Sequence, residues 1–170
     1  MIKKHIVSCT LILTFLIVVT VALLSSASLG LESAWADSMV KNIHVGDAPT
    51  GVAFDSANGY TYVTNTNSNT VSVIDGSTNT VIKEIRVGWS PLGVAYDPAN
   101  GNVYVASGTV YVIDGSTNTV IKDIPVGLQP AAVVFDSDSG KIYVANQYSK
   151  TVSVIDGSTN TVIDTIPVGE

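Results

Sequence analysis

One eight-residue sequence occurs three times in the chain without a change, and it limits the possible folds more than any other feature. The sequence DGSTNTVI occupies residues 75–82, 114–121 and 156–163. A Val-Gly pair recurs around it at spacings of 42, 39 and 42 residues. A fixed period of a few tens of residues indicates one supersecondary unit that is copied and stacked. The sequence therefore predicts a repeat protein.

Each repeat predicts four short antiparallel strands. In the first repeat, β-rich runs separated by turn-forming segments cover residues 49–55, 60–65, 70–75 and 80–87. The second repeat follows the same pattern at residues 91–97, 102–106, 109–114 and 119–126. Asn-Gly and Gly-Ser-Thr-Asn segments between such runs favour hairpins. A four-stranded sheet of this size cannot bury both faces alone, so stacked blades of a β-propeller are expected.

The expected fold class is all-β, a partial β-propeller of about three four-stranded blades with one spare N-terminal strand and a hydrophobic leader. The predicted segments are a leader at 1–36, the spare strand at 37–46, and propeller repeats at 47–88, 89–127 and 128–170. The spare strand is predicted because residues 38–46 align position by position with residues 80–88. Three blades are too few for a closed ring, since propellers typically have about four to eight.

The first 36 residues are typical of a signal peptide. Lys3 and Lys4 precede an apolar run at 6–24, and a small-x-small site ends at Ala36. Cleavage is predicted between Ala36 and Asp37, which places the protein outside the cell or on its surface. An uncleaved membrane anchor is the alternative, because an apolar run of this length also suffices for one bilayer-spanning helix.

Charge and cysteine content exclude several classes of function. The chain has 8 Lys plus Arg against 14 Asp plus Glu, a net charge of −6, and no basic patch. Nucleic-acid binding depends on clustered basic residues, so it is not expected. The single cysteine, Cys9, lies in the leader, which excludes a disulfide framework or thiol nucleophile after residue 36. Membrane contact is expected only through the leader, if the leader is not cleaved.

No catalytic, cofactor or metal site is predicted. His44 is the only histidine after the leader, and no second His or Cys is present there to share a transition metal with it. Residues 136–140, DSDSG, resemble the start of a calcium loop, but the matching segments of the other repeats lack the middle carboxylate. The repeated Asp75, Asp114 and Asp156 are interpreted as turn residues that accept backbone N–H groups.

A candidate binding surface comes from the topology. Since successive strands are antiparallel, the loop between strands two and three lies on the same rim as the connection between repeats. Exposed aromatic residues among Asn and Gln side chains suit recognition of a protein or a carbohydrate. The candidate residues of this rim are Trp89, Gln129, Asn65, Asn67, Tyr148 and Lys150. Packing of Trp89 between blades is the alternative interpretation.

The motifs resemble a known family. Residues 62–65 read YVTN, are preceded by PTGVAF at 49–54 and are followed by SNTVSVID at 68–75. This pattern is similar to the YVTN repeat of archaeal and bacterial surface β-propeller proteins, and the similarity covers residues 38–170. The resemblance implies an exported propeller of seven or a similar number of blades at or beyond the cell envelope, often related to surface layers. It implies no shared catalytic site.

Three functional hypotheses follow. The preferred one is an exported, non-enzymatic β-propeller module for surface structure or for protein or glycan interaction. The second is a propeller-type lyase or lactonase-like enzyme, which needs a His or Glu base near the central channel, whereas the repeats offer only Glu84 and Glu170 as glutamates. The third is a truncated fragment of a longer propeller protein. Partners expected for an open arc of blades are a second copy or another propeller protein.

Overall fold

The structure, a computed structural model, describes residues 42–169. These residues form twelve β-strands in three four-stranded sheets. Each sheet is antiparallel and its strands follow one another in chain order, so that each sheet is one blade. No helix in these residues has the length and apolar character needed to cross a bilayer.

The strand bounds repeat from blade to blade. Blade 1 contains β1 (Pro49–Asp55), β2 (Tyr60–Asn65), β3 (Thr70–Asp75) and β4 (Thr80–Arg86). Blade 2 contains β5 (Val94–Asp97), β6 (Asn102–Ser107), β7 (Thr109–Asp114) and β8 (Thr119–Ile124). Blade 3 contains β9 (Pro130–Asp136), β10 (Lys141–Asn146), β11 (Thr151–Asp156) and β12 (Thr161–Pro167). The predicted all-β partial propeller is confirmed.

Strands β4, β6 and β8 end within two residues of the predicted positions, and two larger details differ from the sequence prediction. Strand β5 begins at Val94 instead of residue 91, although Leu92 and Gly93 still exchange backbone hydrogen bonds with Ala106. Residues 42–45, which belong to the predicted spare strand, are not in a strand. Each of the three sheets takes its four strands from its own repeat, without a strand from residues 42–45.

The remaining N-terminal predictions lie outside the described residues. These are the leader at 1–36, the cleavage site between Ala36 and Asp37, and residues 37–41 of the spare strand.

The hairpin turns explain why the strands end where they do. Between β1 and β2, four residues form the turn, and its last residue, Gly59, has a φ of 77° and donates its N–H to the Asp55 carbonyl. Between β3 and β4 the last turn residue is Asn79, with a φ of 52°. Glycine and asparagine are the residues that adopt this left-handed conformation most readily. The same residue types recur at the same turn positions in the other two blades.

The hydrophobic core lies between the blades. We call the side of a blade that is turned toward the next blade its forward face and the opposite side its back face. Tyr62, Val71 and Val73 on the forward face of blade 1 are fully buried against Val103 and Val105 on the back face of blade 2. A second cluster joins blades 2 and 3 in the same way. Because burial of each such side chain contributes about 1.5–3 kcal/mol, stacking stabilises the sheets.

Candidate functional site

The loops and turns of the blades gather at two ends of the sheets. The turn rim consists of the turns within each hairpin, at residues 56–59, 76–79, 98–101, 115–118, 137–140 and 157–160. The loop rim consists of the loops between second and third strands, at residues 66–69, 108 and 147–150, and of the inter-blade connections, at residues 87–93 and 125–129. Antiparallel pairing places the two sets at opposite ends of every blade.

The repeated aspartates of the turn rim hold their own turns. Asp75 Oδ1 accepts hydrogen bonds from the Ser77 N–H at 2.8 Å and from the Ser77 hydroxyl at 2.6 Å. Asp114 and Asp156 accept the equivalent bonds. The serine hydroxyl, followed by the backbone N–H groups, lowers the pKa of all three carboxyls below the usual 3.8. These contacts confirm that the aspartates form turns.

The turn of one blade also binds the preceding blade. The Tyr62 hydroxyl in blade 1 donates to Asn118 Oδ1 in blade 2 at 2.7 Å. The Asn58 side-chain amide of blade 1 donates to the Gly115 carbonyl of blade 2 at 3.0 Å. The repeated octapeptide is therefore both a turn and a docking element.

The second interface uses the same contacts. The Tyr104 hydroxyl donates to Asn160 Oδ1 at 2.6 Å, and the Asn100 amide donates to the Gly157 carbonyl at 2.8 Å. A lysine completes each set: Lys83 Nζ lies 3.3 Å from the Thr117 carbonyl oxygen, and Lys122 Nζ lies 3.4 Å from that of Thr159. Tyrosine, asparagine and lysine thus form the forward-face donor set.

Burial perturbs the tyrosines at these interfaces. Removal of the ring from water raises the pKa of Tyr62 to about 12. Burial, together with the neighbouring Asp55 carboxylate, raises the pKa of Tyr96 to about 12. Burial also raises the pKa of Tyr104 above the usual 10.0. All three phenols stay neutral hydrogen-bond donors over a wide pH range.

The predicted binding residues are not one cluster. Trp89 is 84% exposed in the connection between blades 1 and 2, and Asn67 is exposed in a loop of blade 1. Gln129, Tyr148 and Lys150 are exposed around blade 3, where the backbone N–H groups of residues 147 and 148 bond to the carbonyls of residues 129 and 128. The exposure of Trp89 shows that it does not pack between blades.

One predicted binding residue belongs to the protein interior instead. Asn65 is fully buried, and its Nδ2 donates to Thr70 Oγ1 at 3.0 Å and to Ser72 Oγ at 2.8 Å. Asn146 makes the equivalent bonds in blade 3. Asn65 therefore bridges β2 and β3 and is not available on the rim.

A polar cleft lies beside Trp89 on the loop rim. It has a volume of about 410 Å³ and is lined by Ser68, Asn69, Arg86, Val87, Gly88, Trp89 and Tyr111. Asn69 shapes its wall, because its Oδ1 accepts the Ser90 N–H at 3.0 Å and its carbonyl accepts the Val87 N–H at 3.2 Å. Arg86 is the only arginine of the chain, and it lines the same cleft as the only described tryptophan.

Two residues of this cleft, Arg86 and Tyr111, were not among the binding residues predicted from the sequence. Both depart from the repeat: Pro125 and Pro167 occupy the position of Arg86, and Ser72 and Ser153 that of Tyr111. Departure from an otherwise regular repeat was the available signal.

The inner strands line a second groove of a different kind. Its volume is about 380 Å³, and its lining residues are Thr50, Gly51, Val52, Leu92, Gly93, Val94, Ala131, Ala132 and Val133, none of which is ionisable. Glu84 lies on β4, at the other edge of the sheet from β1. Within residues 42–169, no three His, Cys, Asp or Glu side chains converge in a way that could hold a metal ion.

Comparisons with known proteins support the fold. No family model matches the sequence, and no curated protein matches it. Among solved structures, the chain is similar to hydrazine synthase from Kuenenia stuttgartiensis, with a TM-score of 0.66 and 25% sequence identity. The similarity covers 75% of this chain and 38% of that chain, so this chain corresponds to less than half of that protein's length. The likeness supports a propeller-like arrangement of the three blades.

Proposed function

We propose that the chain is an exported, non-enzymatic β-propeller module that acts at the cell surface and binds carbohydrate through the cleft between Arg86 and Trp89. The leader and the resemblance to YVTN-repeat surface proteins support export and surface location. The cleft supports the binding role, and it is the observation on which the proposal depends.

The chemistry of the cleft favours a sugar ligand. Trp89 and Tyr111 offer flat apolar rings for the C–H faces of a pyranose, while Asn69 and Ser68 offer hydrogen-bonding groups for its hydroxyls. Arg86 adds a planar cation that pairs bidentately with carboxylates. In a chain of net charge −6, this local positive group selects an acidic sugar over a neutral one.

The non-enzymatic part of the proposal comes from the inner groove. A lyase or lactonase-like enzyme needs a general base within hydrogen-bond reach of its substrate. The described lining of the inner groove supplies only aliphatic side chains, Thr50 and backbone groups. Similarity to part of hydrazine synthase does not change this proposal, because one fold carries many unrelated functions.

The cleft is tested through Trp89 itself. A Trp35→Phe change in the full chain makes Trp89 the only tryptophan, so its emission reports on the cleft. Titration with an oligogalacturonate is expected to shift that emission, and a neutral cello-oligosaccharide of equal length is expected to bind more weakly. Arg86→Ala should weaken binding of the acidic sugar by about tenfold or more, which corresponds to loss of one charge-assisted pair.

Tyr148→Ala is the matched control, because Tyr148 is an exposed aromatic of the loop rim outside the cleft. It should leave the titration unchanged. If neither sugar shifts Trp89 emission, or if Arg86→Ala binds the acidic sugar as well as the parent does, the proposed carbohydrate site is wrong.

A further inference from the structure

Blade 3 differs from blades 1 and 2 on its forward face. Two of the differences are on the inner strand. Where blades 1 and 2 have Gly51 and Gly93, blade 3 has Ala132. Two positions later, the alanines of blades 1 and 2 are replaced by Val134, which is 58% exposed. Both changes enlarge the side chain.

The glycines are required by the contact between blades. A Cβ on Gly93 would lie 2.8 Å from both the Ala132 Cα and the Val133 nitrogen of the next blade. A Cβ on Gly51 would overlap the Leu92 carbonyl oxygen. Because these neighbours are backbone atoms, they cannot move aside as a flexible side chain could. Ala132 therefore prevents blade 3 from approaching a further blade as closely as blades 1 and 2 do.

The other two differences remove members of the forward-face donor set. Ser139 replaces Asn58 and Asn100, and its hydroxyl is already donated to Asp136 Oδ2 at 2.6 Å. Asp164 replaces Lys83 and Lys122. In a matching interface, its carboxylate would face a carbonyl oxygen, which places two acceptors opposite each other. Of the donor set, blade 3 keeps only Tyr143.

The back face of blade 1, by contrast, keeps the turn and the inner-strand apolar side chains that receive a preceding blade, although Thr61 stands where blade 2 has Val103. Its turn has the same sequence as the two docked turns, yet Gly76 and Asn79 are exposed where Gly115 and Asn118 are buried. On the inner strand, Val52 and Phe54 are 66% and 59% exposed. We call Val52, Phe54 and residues 76–79 the receiving surface.

Blade 2 shows what such a surface binds. Its Val94 and Tyr96, which correspond to Val52 and Phe54, pack against the core cluster of blade 1. Its Asn118 accepts the Tyr62 hydroxyl and its Thr117 carbonyl faces Lys83. A partner of the receiving surface must therefore present an apolar sheet face with the same three donors.

We propose that the receiving surface binds a propeller blade of a different chain that carries tyrosine, asparagine and lysine at the forward-face positions, and that blade 3 of a second copy is excluded. The exclusion comes from Ala132, Val134, Ser139 and Asp164. The inference does not depend on the carbohydrate cleft, since the receiving surface shares no residue with it.

A designed probe supplies the missing partner. The probe is the full chain with Ala132→Gly, Val134→Ala, Ser139→Asn and Asp164→Lys, which give blade 3 the residues of blade 2 at these four positions, and with Phe54→Arg, which blocks its own receiving surface. Probe and unmodified full chain, each kept in a mild detergent because of the apolar leader, are mixed and analysed by sedimentation velocity. We expect a one-to-one complex, and a monomer for each chain alone at the same concentration.

The receiving surface is tested with Asn79→Ala in the unmodified chain. This change should weaken the complex by about tenfold or more, because it removes the acceptor of the tyrosine hydroxyl at the centre of the contact. All the changed positions are exposed in the unmodified chain, and a second probe that carries the same four changes in blade 3 with Asn79→Ala instead of Phe54→Arg serves if the first probe does not fold.

Two results would overturn the proposal. A folded probe that forms no complex would mean that the receiving surface does not bind such a blade or is filled within the chain itself. A stable dimer of the unmodified chain that is dissociated by Asn79→Ala would mean that blade 3 of a second copy fits the receiving surface as it stands.

Discussion

The two rims of the blades differ in what their polar side chains do. On the turn rim, the repeated Asp, Asn and Tyr side chains bond within a turn or across to the neighbouring blade. On the loop rim, Trp89 and Tyr148 are exposed, and the loop between the second and third strands shrinks to Gly108 in blade 2. The comparison teaches that the turn rim repeats one set of contacts between blades, whereas the loop rim, which also bonds from Thr66 to the Pro91 carbonyl, varies in length and sequence from blade to blade.

The cause of this division is the blade interface. A change in a turn of blade 2 alters a contact with blade 1, because Gly115 and Asn118 touch Asn58 and Tyr62. The backbone of the loop at 147–150 bonds within blade 3 and its connection, to residues 128, 129 and 168. Substitutions on the two rims should therefore separate into those that affect stability and those that affect binding.

The largest difference is expected between Tyr104→Ala on the turn-rim side and Tyr148→Ala on the loop rim. Tyr104 is fully buried between blades 2 and 3, so its loss should lower the free energy of unfolding by about 3–5 kcal/mol. Tyr148 is 74% exposed, and its loss should change that free energy by less than about 0.5 kcal/mol. Urea unfolding followed by circular dichroism measures both. Equal effects would contradict the division between the rims.

A finer comparison uses two asparagines of the same turn sequence. Asn118 and Asn79 have φ values of 55° and 52°, so the local cost of Asn→Ala is shared. Only Asn118 accepts the hydroxyl of a preceding tyrosine. Asn118→Ala should therefore destabilise by about 1–3 kcal/mol more than Asn79→Ala, since it leaves a buried hydroxyl without a partner. The same urea experiment measures both variants. Equal losses would show that the hydrogen bond from the Tyr62 hydroxyl to Asn118 contributes nothing to the free energy of unfolding.

Alkaline pH should weaken the same contact. Because folding raises the pKa of Tyr62 from 10.0 to about 12, the stability that this shift contributes is complete below pH 10 and is lost as the pH rises toward 12. Unfolding free energy measured between pH 9 and 12 should fall in the parent and fall less steeply in Tyr62→Phe. If the two curves have the same slope, Tyr62 does not titrate as described.

Low pH should destabilise the turns that the repeated aspartates hold. Serine hydroxyls lower the pKa of Asp75, Asp114 and Asp156, so their stabilising contribution is present above the usual 3.8 and is lost as the pH falls through the lower folded values. Asp75→Ala should lower the unfolding midpoint at neutral pH and flatten its decline in acid. A midpoint unchanged by Asp75→Ala at neutral pH would contradict the structural role of this carboxylate.

The smallest stability effect is expected for Trp89→Ala. Since Trp89 is 84% exposed, the free energy of unfolding should stay within about 0.5 kcal/mol of the parent value. Calorimetric titration with the acidic oligosaccharide should nevertheless detect a loss of binding. A marked loss of stability would place Trp89 among the structural residues instead.

Most of the strand pattern could be predicted because turn residues mark it locally. Gly59 and Asn79 end turns with positive φ, and the strands on either side start at the predicted residues and end within one residue of them. The late start of β5 could not be predicted, because residues 91–93, Pro-Leu-Gly, follow the same pattern as residues 49–51, Pro-Thr-Gly, which do belong to β1.

The candidate site was harder to predict than the fold. Asn65 is polar and is the last residue of the predicted strand 60–65, so it was assigned to the rim, but its bonds to Thr70 and Ser72 hold it inside the blade. The cleft at Arg86 and Tyr111 forms only when two blades are stacked, since it takes residues from both. The sequence does show which residues depart from the repeat, and two of these residues, Arg86 and Tyr111, line the cleft.

The hydrogen bonds between the octapeptide turn and the preceding blade have a consequence for how such a chain lengthens during evolution. Their acceptors all lie within eight contiguous residues, whereas their donors are spread over a turn and two strands of the preceding blade. A tandem duplication copies acceptors and donors at once, so every new unit arrives already able to join its neighbour. A few point substitutions at the scattered positions are then enough to stop the addition of further units, while the altered unit stays attached to the one before it.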